Sequence, residues 1–265
     1  MYQVLDSIPL WGIFAVMGLL FLLAAEAGFR LGKYRARHGE AEISHANAII
    51  AATLALMAFM LAFTFGMGGS RFDARRHLVV EESNAVGTAY LRTAMLPEPE
   101  RTEIRNLLRE YVEVRIKIVR NLNGYGARGL ARSEELHGLL WNHAAALGRE
   151  HDRSVAIGLF IESLNEVIDL HSKRVAAGLV DRIPAIIWIT LFFIGILGTT
   201  VIGYRAGLTG HRGLPATLAL ILAFSAVMIL IMDLDRPGQS LFEVSQGSMA
   251  QLLESMNPPP AGVPE

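Results

Sequence analysis

The sequence contains no cysteine. Disulfide bonds, thiol catalysis and cysteine-ligated zinc are therefore excluded, and the redox compartment leaves no trace. Charge is scarce: 18% of residues are Asp, Glu, Lys or Arg, and the formal net charge is -1. No global field selects nucleic acid or another polyanion. No dinucleotide fingerprint occurs, and Gly66-Met67-Gly68-Gly69 lacks the Lys-Ser/Thr pair that would complete a phosphate loop. No nucleophile, base and acid stand in a legible arrangement, so no catalytic residue and no enzyme activity is expected. There is no His-x-x-x-His pair, and Glu-x-x-His occurs only at Glu42–His45 and Glu134–His137. A bundle metal site wants that motif on facing helices, so no metal and no cofactor is expected. Residues 1–7 hold no Lys or Arg. The basic start of a cleaved signal peptide is thus missing, although Ala25-Glu26-Ala27 has a cleavage-site pattern.

Apolar residues, by contrast, make up 52% of the chain, and its mean hydropathy is +0.37. Crossing about 30 Å of hydrocarbon takes about 20 mostly apolar residues at 1.5 Å each. Four stretches qualify: Ile8–Ala27, with Glu26 its one charge, and the uncharged Asn47–Ser70, Ile183–Tyr204 and Gly213–Met232. The spacing predicts an all-α chain of four transmembrane helices, with a large extramembrane helical bundle inserted between the second and third. Residues 1–70 form the first two spans and a basic loop, 71–182 the bundle, 183–232 the last two spans, and 233–265 a polar, partly disordered tail. The span interiors hold no acid, His, Lys or Arg, which argues against a carboxylate-based proton-coupled carrier. Lys and Arg of short loops mark the cytoplasmic side. Arg30, Lys33, Arg35 and Arg37 in the first loop and Arg205 and Arg212 in the third predict both loops inside. The inserted bundle and both termini then lie outside an inner (plasma) membrane.

Within the insert, no stop signal follows Ser70, so the second span continues as helix to about Leu96, where Pro97-Glu98-Pro99-Glu100 ends it. Ile104, Leu107, Leu108, Tyr111, Val112, Ile118 and Val119 form an amphipathic stripe on the next helix. Asn121 to Gly126 is rich in Asn and Gly and predicts a turn. A further helix is expected from near Ser133, and a last one with Ile157, Phe160, Ile161, Leu164 and Ile168 on one face, leading toward Pro184.

Arg115 falls on the apolar stripe, four residues after Tyr111. A buried guanidinium requires a carboxylate, and Glu81 and Asp169 are the expected partners. His77, Glu81, Asn84 and Thr88 share one face of the extended second helix. Glu162, Asn165, Glu166 and Asp169 share one face of the last. With His171 these faces offer metal-type ligands, but solvated faces or a polar network is the simpler reading. The network candidates are Arg76, Glu81, Asn84, Arg115, Asn165 and Asp169. Met60, Phe63, Thr64 and Met67 lie at three- and four-residue steps on the second span. They are candidates to line a pore, with Phe63 as a dewetting ring and Thr64 as a hydroxyl donor; packing within the same subunit is the alternative. Gly28-x-x-x-Gly32 and Gly203-x-x-x-Gly207 permit close helix approach or mark turns.

The blocks LAFTFGMGGSRFDARRHLVVEESNAVGTAYLR (61–92), LPEPERTEIRNLLREYVEVR (96–115), SLNEVIDLHSKRVAAGLVDRIP (163–184) and MDLDRPGQSLFEVSQ (232–246) resemble a bacterial membrane family described as bestrophin-like. Phe63, Ser70-Arg71-Phe72-Asp73, Arg76 and Asn84 are also similar to true bestrophins, which are pentameric anion channels. The resemblance implies a homo-oligomer in the lipid bilayer that conducts small ions, with this segment as pore neck. Three departures stand beside it. Ala74-Arg75 replaces an aromatic pair, no acidic calcium clasp is found, and bestrophins keep the insert in the cytoplasm. A non-conducting sensor or scaffold whose insert binds a partner or ligand is the alternative function.

Overall fold

The computed structural model describes residues 8–38, 43–120, 122–236 and 244–257. Among these residues there are helices and no strand. They are α1 (Leu10–Arg37), α2 (Ile43–Arg92), α3 (Glu100–Arg120), α4 (Leu122–Glu150), α5 (Val155–Val175), α6 (Ala185–Thr209), α7 (Leu214–Asp235) and α8 (Gly247–Ser255). α1, α2, α6 and α7 carry the stretches long and apolar enough to cross a membrane. At 1.5 Å per residue, the 50 residues of α2 span more than twice a hydrocarbon core. Its uncharged part ends at Ser70, and the charged remainder lies beyond the apolar stretch. The chain divides into two compact units, Met1–Phe72 with Arg182–Phe242 and Asp73–Asp181 with Glu243–Glu265.

The membrane unit is organised by a crossing of α1 and α6. A Cβ on Gly203 would lie 1.9 Å from the Ala25 carbonyl oxygen, and one on Gly28 2.0 Å from that of Thr200. Gly32 meets the Tyr204 carbonyl and Gly207 the Phe29 carbonyl in the same way. The paired numbers rise together along both helices, so α1 and α6 run parallel. Both glycine pairs therefore serve close backbone approach, and not turns. Turns fall instead at Gly210 and Gly213, whose φ of +72° and +51° only glycine adopts freely. Met17, Phe21, Met57, Leu191, Met228 and Ile231 fill the core between the helices. At the far end of α7 the Asp235 carboxylate accepts from the Ile183 amide at 3.0 Å, which ties α7 to the start of α6. Trp11 and Tyr34 are exposed near the two ends of α1. They are 23 residues, about 35 Å, apart, the spacing of the two aromatic belts of a bilayer.

The second unit packs α3, α4, α5, α8 and the end of α2 around Leu108, Tyr111, Leu136, Leu140, Phe160 and Leu164. Two expectations are corrected there, the turn at 121–126 and the start of the next helix near Ser133. Leu122 to Gly126 is the start of α4, not a turn, and α4 begins well before Ser133; Asn121 lies outside the described residues. The nearby glycine serves packing, since a Cβ on Gly129 would stand 2.4 Å from Ile118 Cγ1. The tail contains α8, which buries Met249, with Met256 just beyond it and Leu252 packed against the same core. The expectation of disorder at its end falls on residues outside those described. Finally, α5 does not run on into α6. A π-turn over Ala176–Val180 closes with Asp181 N donating to Ala176 O at 3.0 Å, and extended backbone follows to Pro184.

The glycine crossing makes a direct prediction. Gly203→Ala puts its methyl into backbone that cannot swing aside and should cost about 1–3 kcal/mol or more. Gly18→Ala, with nothing within 4 Å of the new Cβ, should leave thermal stability in detergent unchanged or slightly higher. Equal melting temperatures for the two variants would contradict the crossing.

Candidate functional site

The second unit carries an ionisable cluster inside its core, built by ionisable residues at core register on four helices. On α2, Val79, Glu82, Val86 and Ala89 recur at three- and four-residue steps and are all buried. α3 contributes Ile104, Leu108, Tyr111 and Arg115 by the same spacing, and α4 contributes Leu136, His137, Leu140 and Ala144. From α5 come Leu164, Val167 and His171, with Arg174 one step further on.

Glu82 is the hub and is completely buried. Its Oε1 accepts the Tyr111 hydroxyl proton and stands 3.0 Å from Arg115 Nε as an ion contact without hydrogen-bond alignment. Its Oε2 accepts from Arg115 Nη2 at 3.2 Å and from Arg174 Nη1. Burial alone pushes this carboxyl up. The Arg115 and Arg174 charges, with the donors from Tyr111 and Arg174, outweigh it and hold the group down to about 2. Burial, then the neighbouring Glu82 charge, pushes the Tyr111 hydroxyl well above its usual range. Because that proton is directed at Glu82, the phenol oxygen is left to accept from His171 Nδ1, 3.2 Å away. This assigns His171 as a neutral Nδ1–H tautomer. The His137 ring meets His171 edge-on, with centroids 4.7 Å apart, and lies 4.9 Å from the Tyr111 ring. His137 Nε2 is buried and makes no hydrogen bond. Burial lowers both imidazoles to about 4. Arg174 Nη2 also donates to Gln246 Oε1 at 2.7 Å, which brings the segment before α8 into the cluster.

Chemically this is a largely buried polar cluster of one carboxylate, two guanidiniums, a phenol and two neutral imidazoles. It is poorly suited to a metal ion, since both carboxylate oxygens are occupied by cationic donors and two positive charges stand beside the imidazoles. No group of three or more metal-ligating side chains occurs among the described residues.

Arg115 is thus buried and paired, but its partner is Glu82. The expected partners Glu81 and Asp169 are exposed, as are Arg76, Asn84 and Asn165. One residue decides this on α2: Glu82 shares the phase of Val79 and Val86, while Glu81 is turned about 100° away. Glu82, Tyr111, His137 and Arg174 were missed as members. The available signal was Glu82 on an apolar stripe, matching Arg115 on its own.

In the membrane unit the pore candidates divide. Phe63 is 57% exposed and Phe59 68%, whereas Thr64 is fully buried and donates its hydroxyl to the Met60 carbonyl at 2.7 Å. Met60 and Met67 are half-buried at the boundary. The buried stripe of α2 is Met57, Leu61, Thr64 and Gly68; the open one is Ala52, Ala55, Phe59, Ala62, Phe63, Gly66 and Ser70. Thr64 and Phe63 therefore do not share a face, for the same 100° reason.

A family model described as Bestrophin-like domain matches residues 18–249. No curated protein matches the chain. Among solved structures, a substituted form of a bacterial bestrophin homologue from Klebsiella pneumoniae superposes with a TM-score of 0.68 at 16% identity. The match covers 92% of this chain and 97% of that one. A second form of the Klebsiella pneumoniae homologue gives 0.65 at 17% identity, over 91% and 96%. A crystal structure described as that of a membrane protein gives 0.68 at 16%, over 92% and 96%. At these identities the likeness is one of fold.

Neighbouring glutamates provide the test of the hub. Glu82→Gln leaves two buried guanidiniums without a counter-charge and should cost about 3–5 kcal/mol. Glu81→Gln, on the open face, should stay within about 0.5 kcal/mol of the parent. Denaturation in detergent measures both, and equal stabilities would remove Glu82 from the centre of the unit.

Proposed function

The chain belongs to the Bestrophin-like domain family, and from that footing we propose that it is the subunit of an oligomeric ion channel for anions. The observation that carries the reading is the open face of α2. Phe59 and Phe63 point away from their own chain among Ala52, Ala55, Ala62 and Gly66, a stripe narrow enough for copies to gather closely around an axis. A ring of Phe63 then forms the dewetting constriction, and Met60 and Met67 flank it. Thr64 is not part of this lining, because its hydroxyl is spent on its own helix. Steps of seven from Phe63 lead to Ser70, His77 and Asn84, each exposed, which is the register of a helix that keeps one side to a central seam. The second reading is a non-conducting sensor or scaffold, favoured by the buried polar cluster, which a pore at Phe63 does not use.

We further propose that the protein is a multi-pass protein of the inner (plasma) membrane, with both termini and the second unit outside. The ends of α1 and α6 support this orientation. The parallel crossing places Arg30, Lys33, Arg35 and Arg37 at the same end of the unit as Arg205 and Arg212. Arg212 reaches Glu26 at 3.1 Å and lies over the Phe29 ring at 4.3 Å, and Arg30 holds the same carboxylate at 3.0 Å.

Two measurements follow. In a pore, Phe63→Ala should raise ion flux or leak in proteoliposomes with little change in thermal stability. In a packed interface it should cost about 3–5 kcal/mol, and a destabilised variant with unchanged flux would sink the pore. For orientation, a reporter active only in the cytoplasm should be dark after Glu265 and bright after Glu40; the reverse pattern would place the second unit inside.

A further inference from the structure

We propose that the buried His137–His171 pair is an acid-operated latch that holds the C-terminal segment Val244–Asn257 onto the second unit through Arg174. Among the described residues the groups facing the pair are Glu82 from α2, Tyr111 and Arg115 from α3, and Arg174 from α5; the C-terminal segment adds the neutral Gln246, through Arg174. Two full positive charges thus already share one carboxylate. A proton on either ring adds a third cation to a cluster whose single anion has no free lone pair toward it.

Arg174 is the member that can leave. Its side chain is 11% exposed, against 4% for Arg115 and 0% for Glu82. One arm of Arg174 binds Glu82 and the other binds Gln246 at 2.7 Å. Moving it to solvent relieves the excess charge and breaks the contact with the C-terminal segment in the same step. What remains to hold that segment is Met249 and Met256 in the core, Leu252 packed against it, and the Met256 carbonyl, which accepts from Tyr90 Oη at 3.2 Å and from Arg109. The pH window follows from the imidazoles. Both lie near 4 when closed, against an ordinary 6.5, so the closed form is fully favoured above pH 6.5 and loses ground as pH falls toward 4. Opening that lets water reach the rings returns them toward 6.5, and at pH 5 a ring so returned shifts the balance toward the open form by up to about 30-fold. Glu82, held down to about 2, keeps its charge through this window. Its contribution is present above pH 4.5 and is lost as pH falls toward 2.

The test is hydrogen–deuterium exchange on the full-length protein in detergent at pH 7.5 and pH 5.0, with intrinsic rates corrected for pH. Protection of α8 should fall at least tenfold at pH 5.0 while α3 around Leu108 and Tyr111 keeps its own. The double variant His137→Gln, His171→Asn retains hydrogen-bonding amides but does not titrate, and it should lose the response. Unchanged α8 protection in the parent, equal loss in α8 and α3, or a response retained by the double variant would each overturn the latch. If the double variant does not fold, the contrast between α8 and α3 in the parent decides alone.

Discussion

Among the described residues α2 turns one buried stripe to the core of each unit and leaves the opposite side open. In the membrane unit the buried side is Met57, Leu61, Thr64 and Gly68. In the second unit it is Val79, Glu82, Val86 and Ala89. A helix of 50 residues gains most of its stability from such packing and not from propensity. A lipid-facing helix can leave its open side to hydrocarbon at no cost, so exposure alone does not demand a partner. The open side of α2 differs from an ordinary lipid face in the Ala, Gly and Ser residues that flank its two aromatic rings, Phe59 and Phe63. Small residues of that kind let backbones come close, which is what a seam between copies requires.

Each unit is held by a different kind of interaction. Within the membrane, apolar side chains gain little from leaving lipid for one another, so α1 and α6 associate through shape, with glycines laid against carbonyl groups. The second unit is held by apolar burial around Leu108, Tyr111 and Phe160. Into that core it places Glu82, whose desolvation would be prohibitive without two guanidiniums and a phenol. Such a cluster adds little net stability but tolerates few alternative arrangements, because any other register leaves a buried charge without a partner.

Much of the fold was legible because hydropathy over twenty residues averages out local error. The four spans follow from it, while the long α2 and its end near Pro97-Glu98-Pro99 follow from where helix-stop signals are missing and where they occur. The details that failed depend on single residues. Glu81 and Glu82 are equivalent to composition, and only the phase set by Val79 and Val86 separates them. Phe63 and Thr64 are adjacent and lie on different faces for the same reason. The glycines of early α4 resemble a turn, because composition does not distinguish a glycine needed for φ from one needed for space beside Ile118. α8 is short, and its Met249, Leu252 and Met256 carry no signal against a polar tail until Gly87 and Tyr90 are known to face them. Arg115 was recognisable as buried and paired because a guanidinium on an apolar stripe has few alternatives.

The central claim is that the open face of α2 lines a conducting path. The absence of cysteine makes it directly testable, since a single introduced thiol is the only one present. Single-channel current should be recorded in planar bilayers from the Phe63→Cys protein before and after a charged, water-soluble thiol reagent. A current that the reagent blocks or sharply alters, with the cysteine-free parent unaffected, is the expected result. A current indifferent to modification at this position would contradict the claim, as would a folded protein that stays silent in every salt.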